Sequence, residues 1–270
     1  MLNSFKGAVA VVTGSAVFIW VCLGVYTLKS RDVSLRIVRP KARNRNRVSS
    51  RTANRKFIKE PIAGTFGFDF KNHFIDTTDP ANKSWWNKNY QKFLEEQEDD
   101  KNYRKISHQF LKVKSVDDLK EACSEVYKKK TRENISPISR NVEQEKYEND
   151  VWTYCSIEGG VPVTVLENKD SFHGRSKLSN IYASRMISTT SLENRTFWWR
   201  HAIAFYGENG SGSKARDETA GFKALYESAD KRLDSLRELC EINYNRLYNN
   251  ENTDIARETL IFCSLSGSSN

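Results

Sequence analysis

Trp86, Tyr90 and Phe93 fall at i, i+4 and i+7 behind Ser84, a spacing that predicts an amphipathic helix with an aromatic stripe and Ser84 as its N-cap. A second helix follows the same plan, with Thr196 as cap, Trp198, Ala202 and Phe205 on one face, and Gly207 as its stop. Val116, Leu119, Cys123, Val126 and Tyr127 share a face behind Ser115 and Asp118, which are spaced like a capping box. Leu233, Leu236, Cys240, either Asn243 or Tyr244, and Leu247 make a comparable face that ends at Asn249-Asn250. A weaker third pattern, Tyr147, Val151, Tyr154 and Cys155, is matched by Ala256, Leu260 and Cys263, with Thr253 as cap. Only Gly159 to Leu166 reads as extended, and Pro162 makes it an edge strand or a connector. The expected fold class is mainly α.

These helices come in matched pairs. Ile75-Asp76-Thr77-Thr78 through Ser84-Trp85-Trp86 aligns without a gap on Ile187-Ser188-Thr189-Thr190 through Thr196-Phe197-Trp198, a shift of 112 residues. Asp117 to Cys123 with Tyr127 matches Asp234 to Cys240 with Tyr244, and both copies close on aromatic-Cys-Ser, at Tyr154-Cys155-Ser156 and Phe262-Cys263-Ser264. Three blocks in one order predict a duplication: helical repeats at 61–156 and 157–264, then a disordered tail at 265–270. A repeat of about 110 residues is large enough to bury a core of its own. The expected core anchors are Trp86, Phe93 and Leu119 in the first copy, and Trp198, Phe205 and Leu236 in the second. Arg132 to Asn141 and Gly207 to Ser213 read as loosely ordered loops.

Charge separates the repeats from what precedes them. The whole chain carries +9, yet Lys29 to Glu60 alone holds twelve basic and two acidic residues. The repeats are therefore nearly neutral, and no nucleic acid is expected to bind them; the basic character belongs to a linker at 29–60. Before it, 7–28 is uncharged over 22 residues, long enough to span a bilayer as a helix. The competing signal-peptide reading lacks a small-x-small exit site. Lys29, Arg31, Arg36, Arg39, Lys41, Arg43, Arg45 and Arg47 flank the C-terminal side against Lys6 on the other, which by the positive-inside rule puts the repeats in the cytoplasm. Arg39, Lys41, Arg43, Arg45 and Arg47 are candidates for contact with anionic lipid headgroups, with a solvated spacer as the plain alternative.

Candidate chemistry is sparse. Gly207 to Lys214 has the glycines of a phosphate-binding loop but not its spacing, and it follows a helix rather than a strand. His73, His108, His173 and His201 show no metal-ligand spacing, and no catalytic residue, metal or cofactor is expected. Asn82, Asn134, Asn194 and Asn209 begin glycosylation sequons, two of them inside the repeated block. Cys123, Cys155, Cys240 and Cys263 recur pairwise in the two copies, as buried thiols or as the disulfides Cys123–Cys155 and Cys240–Cys263. The second possibility requires an oxidising side of the membrane.

The uncharged N-terminal segment, the Trp block after a Thr/Ser-Thr turn, the Leu-[Lys/Arg]-Glu-x-Cys helix, and aromatic-Cys-Ser followed by Val161-Pro162-Val163-Thr164-Val165 together resemble the large paralogous families of membrane-anchored proteins from haemotrophic mycoplasmas. That resemblance implies surface display and antigenic variation in a wall-less bacterium, and it transfers no catalytic residues. The doubled copy and the Arg-rich linker depart from it. The expected function is thus a non-enzymatic, membrane-anchored interaction protein with a protein partner. The alternative is a cytoplasmic-face peripheral protein that binds anionic lipid or nucleic acid through its linker.

Overall fold

Amphipathic helices dominate residues 56–98, 106–170, 176–216, 218–249 and 253–267, which the computed structural model describes. These residues belong to one compact unit, Thr52–Asn270. The expected membrane helix at 7–28, the basic residues Arg39 to Arg47, and His173 lie outside them. Among the described residues, no helix is long and apolar enough to cross a membrane.

The first half contains α1 (Phe66–Asp69), α2 (Lys83–Glu98), α3 (Val116–Lys128) and α4 (Val142–Cys155). After a one-turn helix, α5 (Val165–Asn168), the second half contains α6 (Leu178–Ile181), α7 (Arg195–Tyr206), α8 (Phe222–Glu227), α9 (Leu233–Tyr244) and α10 (Thr253–Cys263). Among the described residues there are no strands, only isolated antiparallel bridges, four of which form two equivalent pairs, while Lys177 with Leu247 stands alone. Phe57 with Ile75 and Phe74 with Ser156 are matched by Thr164 with Ile187 and Met186 with Ser264.

The same backbone clamps hold each half. Tyr127 Oη donates toward the carbonyls of Ile75 and Cys155 at 3.0 and 3.2 Å, and Tyr244 Oη toward those of Ile187 and Cys263 at 2.8 and 2.6 Å. Ser156 Oγ and Ser264 Oγ donate to the carbonyls of Trp152 and Leu260, four residues back in each last helix. A disulfide ties α3 to α4 through Cys123 and Cys155, and another ties α9 to α10 through Cys240 and Cys263, with Cα separations of 5.6 and 5.7 Å. Of the two readings left open by sequence, these cysteines take the disulfide one.

One hydrophobic core runs through both halves. Phe70, His73 and Trp152 meet Phe197 and His201 across the seam, with His73 stacked on Phe197 at 4.4 Å between ring centroids. Beside them Arg185 forms a bidentate pair with Glu148, at 2.7 and 3.0 Å, and both side chains are fully buried. Such a pair contributes little net stability, but Glu148 is also held by Arg140, so removing Glu148 would strand the Arg185 charge, and the pair fixes how the halves meet. All six expected core anchors, Trp86, Phe93, Leu119, Trp198, Phe205 and Leu236, are buried.

Several expectations need correction. Helix α2 starts at Lys83, behind a 3-10 turn (Pro80–Asn82) capped by Asp79, so Ser84 is not the cap. Helix α7 starts at Arg195, before Thr196, and α10 starts at Thr253 itself. Helix α9 stops at Tyr244, short of Asn249, because Arg246 and Tyr248 turn away to pair with Leu178 and Ser176. The linker does not reach 60 as free chain: Lys56 to Ile58 pack on the fold, where Lys56 N donates to Asn82 Oδ1 and Phe57 bridges Ile75. The tail does not begin at 265, since Leu265 and Ser266 are buried and Leu265 N donates to Arg185 O. Gly207 to Ser213 is not a loose loop. A Cβ on Gly210 would lie 2.3 Å from the Ala204 carbonyl, and one on Gly212 would lie 2.5 Å from the Tyr226 ring, so glycine is required by close packing. Arg132 to Asn141 is ordered as well, ending in the Asn141 capping box of α4.

Candidate functional site: a groove present twice

The segment before each Trp helix is a tight turn held by its own side chains. Asp76 Oδ1 accepts from Thr78 N, Thr78 Oγ1 and Asp79 N at 2.8 to 3.0 Å. Ser188 Oγ does the same work in the second half, accepting from Thr190 N and Ser191 N at 3.3 and 3.0 Å. The carbonyl of each turn then receives two donors. Asp76 O accepts from Asn82 Nδ2 and Trp86 Nε1 at 2.9 and 3.1 Å, and Ser188 O accepts from Asn194 Nδ2 and Trp198 Nε1 at 2.9 and 2.9 Å. This explains why Asn and Trp recur at those positions: a buried indole N–H needs an acceptor, and the turn supplies it. It also removes Asn82 and Asn194 as glycosylation sites, since both amides are buried and bonded.

Between each turn, the start of its Trp helix and the start of its Cys helix lies a groove of about 470 Å³ in the first half and 530 Å³ in the second. Thr78, Lys83, Trp86, Asp117 and Lys120 line the first; Thr190, Arg195, Trp198, Asp234 and Arg237 line the second at the equivalent positions. The lining thus keeps its chemistry across the repeat: two cations, one carboxylate, a hydroxyl and an indole floor. Lys120 pairs with Asp117 at 3.0 Å and Arg237 with Asp234 at 3.4 Å, each within one helical turn. In the first groove Asp79 is additionally held by Lys59 at 3.0 Å, and that ammonium together with the Ala81 N–H keeps its carboxyl below the usual range. Lys83 and Arg195 have no acidic partner among the described residues.

Neither groove is lined by a histidine or a cysteine. Among the described residues no group of three or more His, Cys, Asp or Glu is placed to hold a metal ion. His108 is exposed beside Glu143 at 3.4 Å. His73 and His201 are buried at the seam, and burial lowers both, His201 to about 3, so both rings are neutral at neutral pH. His201 Nε2 lies 2.9 Å from the Phe262 carbonyl and must be the protonated nitrogen. A third pocket, of about 440 Å³, draws on Asp69 from one half and Lys214, Arg216 and Glu258 from the other, so it is built once rather than repeated.

The sequence-derived residues divide clearly. Trp86 and Trp198 form the groove floors, the four cysteines lock the helices behind them, and Phe93, Phe205, Leu119 and Leu236 are purely interior. Arg39, Lys41, Arg43, Arg45 and Arg47 fall outside the described residues. Sequence reasoning missed the cations Lys83, Lys120, Arg195 and Arg237. The signal was present, because basic residues recur at matched positions of the two copies. No protein-family model, curated protein or solved structure matches the chain.

Proposed function

We propose that the protein is a non-enzymatic, membrane-anchored interaction protein that arose by duplication of a helical module and offers the same groove twice. The observation that carries this is the recurrence of the groove lining, whose charged side chains lie exposed or half-buried at the surface rather than in the core. Two linked sites on one body raise avidity for a multivalent partner without any new chemistry. The segment 7–28 is the anchor in this reading. The two disulfides favour an oxidising, exported side for the repeats, in line with the surface display that the family resemblance implies.

A photo-crosslinking amino acid placed at Asn87 or at Trp199, one in each groove, tests the reading in the full chain. Both positions should give the same crosslinked partner, and positions on the far face should give none. Crosslinks that form equally from all faces would remove it. A second reading, a cytoplasmic-face peripheral protein, is favoured by the eight basic residues between Lys29 and Arg47. Deletion of 39–55, which spares the folded Lys56, should then abolish binding to anionic lipid or nucleic acid and flatten its salt dependence. Protease and an impermeant thiol reagent applied to intact cells decide the side: shaving of disulfide-linked repeats supports export, and protection with free thiols supports the second reading.

A further inference from the structure

The two grooves share a plan but not a surface. Where the first has Asp79, Pro80 and Asn87, the second has Ser191, Leu192 and Trp199. Leu192 is 87% exposed and Trp199 50%, and Ile203, one turn beyond Trp199 on α7, is exposed as well. Arg200, ion-paired to Glu158, lies 5.9 Å from the Trp199 ring centroid. Tryptophan and arginine are the residue types enriched at the energetic centres of protein interfaces.

The charges are arranged differently as well. In the first groove Lys83 and Lys120 face Asp117 and Asp79, the latter already paired with Lys59. In the second, Arg195 and Arg237 face Asp234 alone, because serine replaces the second acid. Arg195 is the first residue of α7, where the helix dipole disfavours a cation. Neither α7 nor α9 has a side-chain cap, whereas Ser115 caps α3 in the first half. The second groove therefore sets two arginines against one acid, beside exposed apolar side chains.

We propose that the second groove binds an acidic segment of a partner protein, seating an Asp or Glu carboxylate against Arg195 and Arg237 and a large apolar side chain against Trp199 and Leu192. This rests on the interaction reading above and assigns its partner chemistry. Arginine suits the task because its planar fork matches a carboxylate.

The test uses the full chain in detergent and three fluorescent 12-residue peptides with one Leu-Gly-Phe centre flanked by Glu, by Gln or by Lys. The Glu peptide should bind roughly tenfold or more tightly than the other two, as expected for charge-assisted hydrogen bonds. Arg195→Glu with Arg237→Glu should reverse the preference toward the Lys peptide. Trp199→Asn, which installs the residue of the first groove, should weaken the Glu peptide by more than about tenfold. Lys128→Glu, an exposed charge reversal at the far end of α3 and outside both grooves, should leave it unchanged. Thermal melts establish that each variant is folded. Equal binding of the three peptides, or indifference to the arginine variants, overturns the proposal. So does Arg195-dependent binding to vesicles of 30% phosphatidylserine with no peptide bound, which would make the ligand a lipid surface. If the crosslinks from Asn87 and Trp199 persist while all three peptides fail, this assignment falls and the interaction reading stands.

Discussion

The two halves of the molecule differ in where they allow change. Inside, the clamps are held nearly atom for atom: a tyrosine hydroxyl on two carbonyls, a serine on the preceding helical turn, an asparagine and an indole on one turn carbonyl. Each of these satisfies a buried backbone group, and leaving one unpaired costs about 1–3 kcal/mol. Apolar neighbours are freer, so Phe74 becomes Met186 and Tyr90 becomes Ala202. The seam is freest of all. His73 and Arg185 occupy equivalent positions, each with its carbonyl accepting from the residue after Cys-Ser, yet one stacks on Phe197 and the other grips Glu148. Asn89 and His201 likewise both reach the carbonyl just before the final cysteine, at Tyr154 and Phe262. Identical modules would have to pack symmetrically; diverged seam residues let two copies share one core.

The largest effects should come from breaking the floor of either groove. Trp86→Ala and Trp198→Ala each remove a buried indole and its hydrogen bond, and each should cost about 3–5 kcal/mol in denaturant unfolding. Because one core spans both halves, either variant should lower a single cooperative transition. Two separated transitions would mean that the halves fold independently and that the seam is incidental.

Next in size are the disulfides. Cys123→Ser and Cys240→Ser open loops with sequence separations of 32 and 23. By chain entropy each should cost about 3 kcal/mol, and the two should differ by less than about 0.5 kcal/mol. Denaturant midpoints with and without reductant measure this. A large inequality would show that one half depends on its bond and the other on its packing.

Much of this was legible from residue spacing. The aromatic stripes and Leu119 and Leu236 are core because a helical period put them on one face. The cysteine pairs were visible because both members recur, although sequence alone left thiol and disulfide open. Helix starts were misread at Ser84 and Thr196, since the asparagine two residues before each is diverted to the turn carbonyl and the helix begins behind it. The buried Arg185–Glu148 pair was invisible for a different reason. Its members lie 37 residues apart, in different halves, and no local pattern marks a long-range contact. The Gly207 to Ser213 loop was misjudged because glycine signals flexibility and close approach alike.

The seam gives a pH-dependent difference between the halves. His201 has a folded value of about 3, lowered by burial and then by His73, against 6.5 when free. Between those values the unfolded chain holds a proton that the folded chain does not, so stability falls as pH falls. His73, lowered chiefly by burial and facing Glu158 and Arg200, acts in the same direction. Asp150 opposes them: burial raises it to about 6 from 3.8, so the folded chain holds the extra proton and gains stability as pH falls through that window. His201→Asn, which copies Asn89, should therefore remove about 2 kcal/mol of the stability loss between pH 6.5 and 5. Melting curves at several pH values read this directly, and an unchanged acid slope would show that His201 is already solvated at the seam.

The smallest effect bears most on function. Lys83 and Arg195 each open a long helix, a position where a cation costs and a carboxylate gains about 0.3–1 kcal/mol. Lys83→Glu and Arg195→Glu should therefore each stabilise the fold slightly, by about 0.5 kcal/mol or roughly 1–2 °C in melting temperature. Equal gains in both halves would mean that a cation has been kept twice at the expense of stability, as a binding residue is. A loss from either variant would give that cation a structural role instead, and the charge of its groove would no longer need a ligand to explain it.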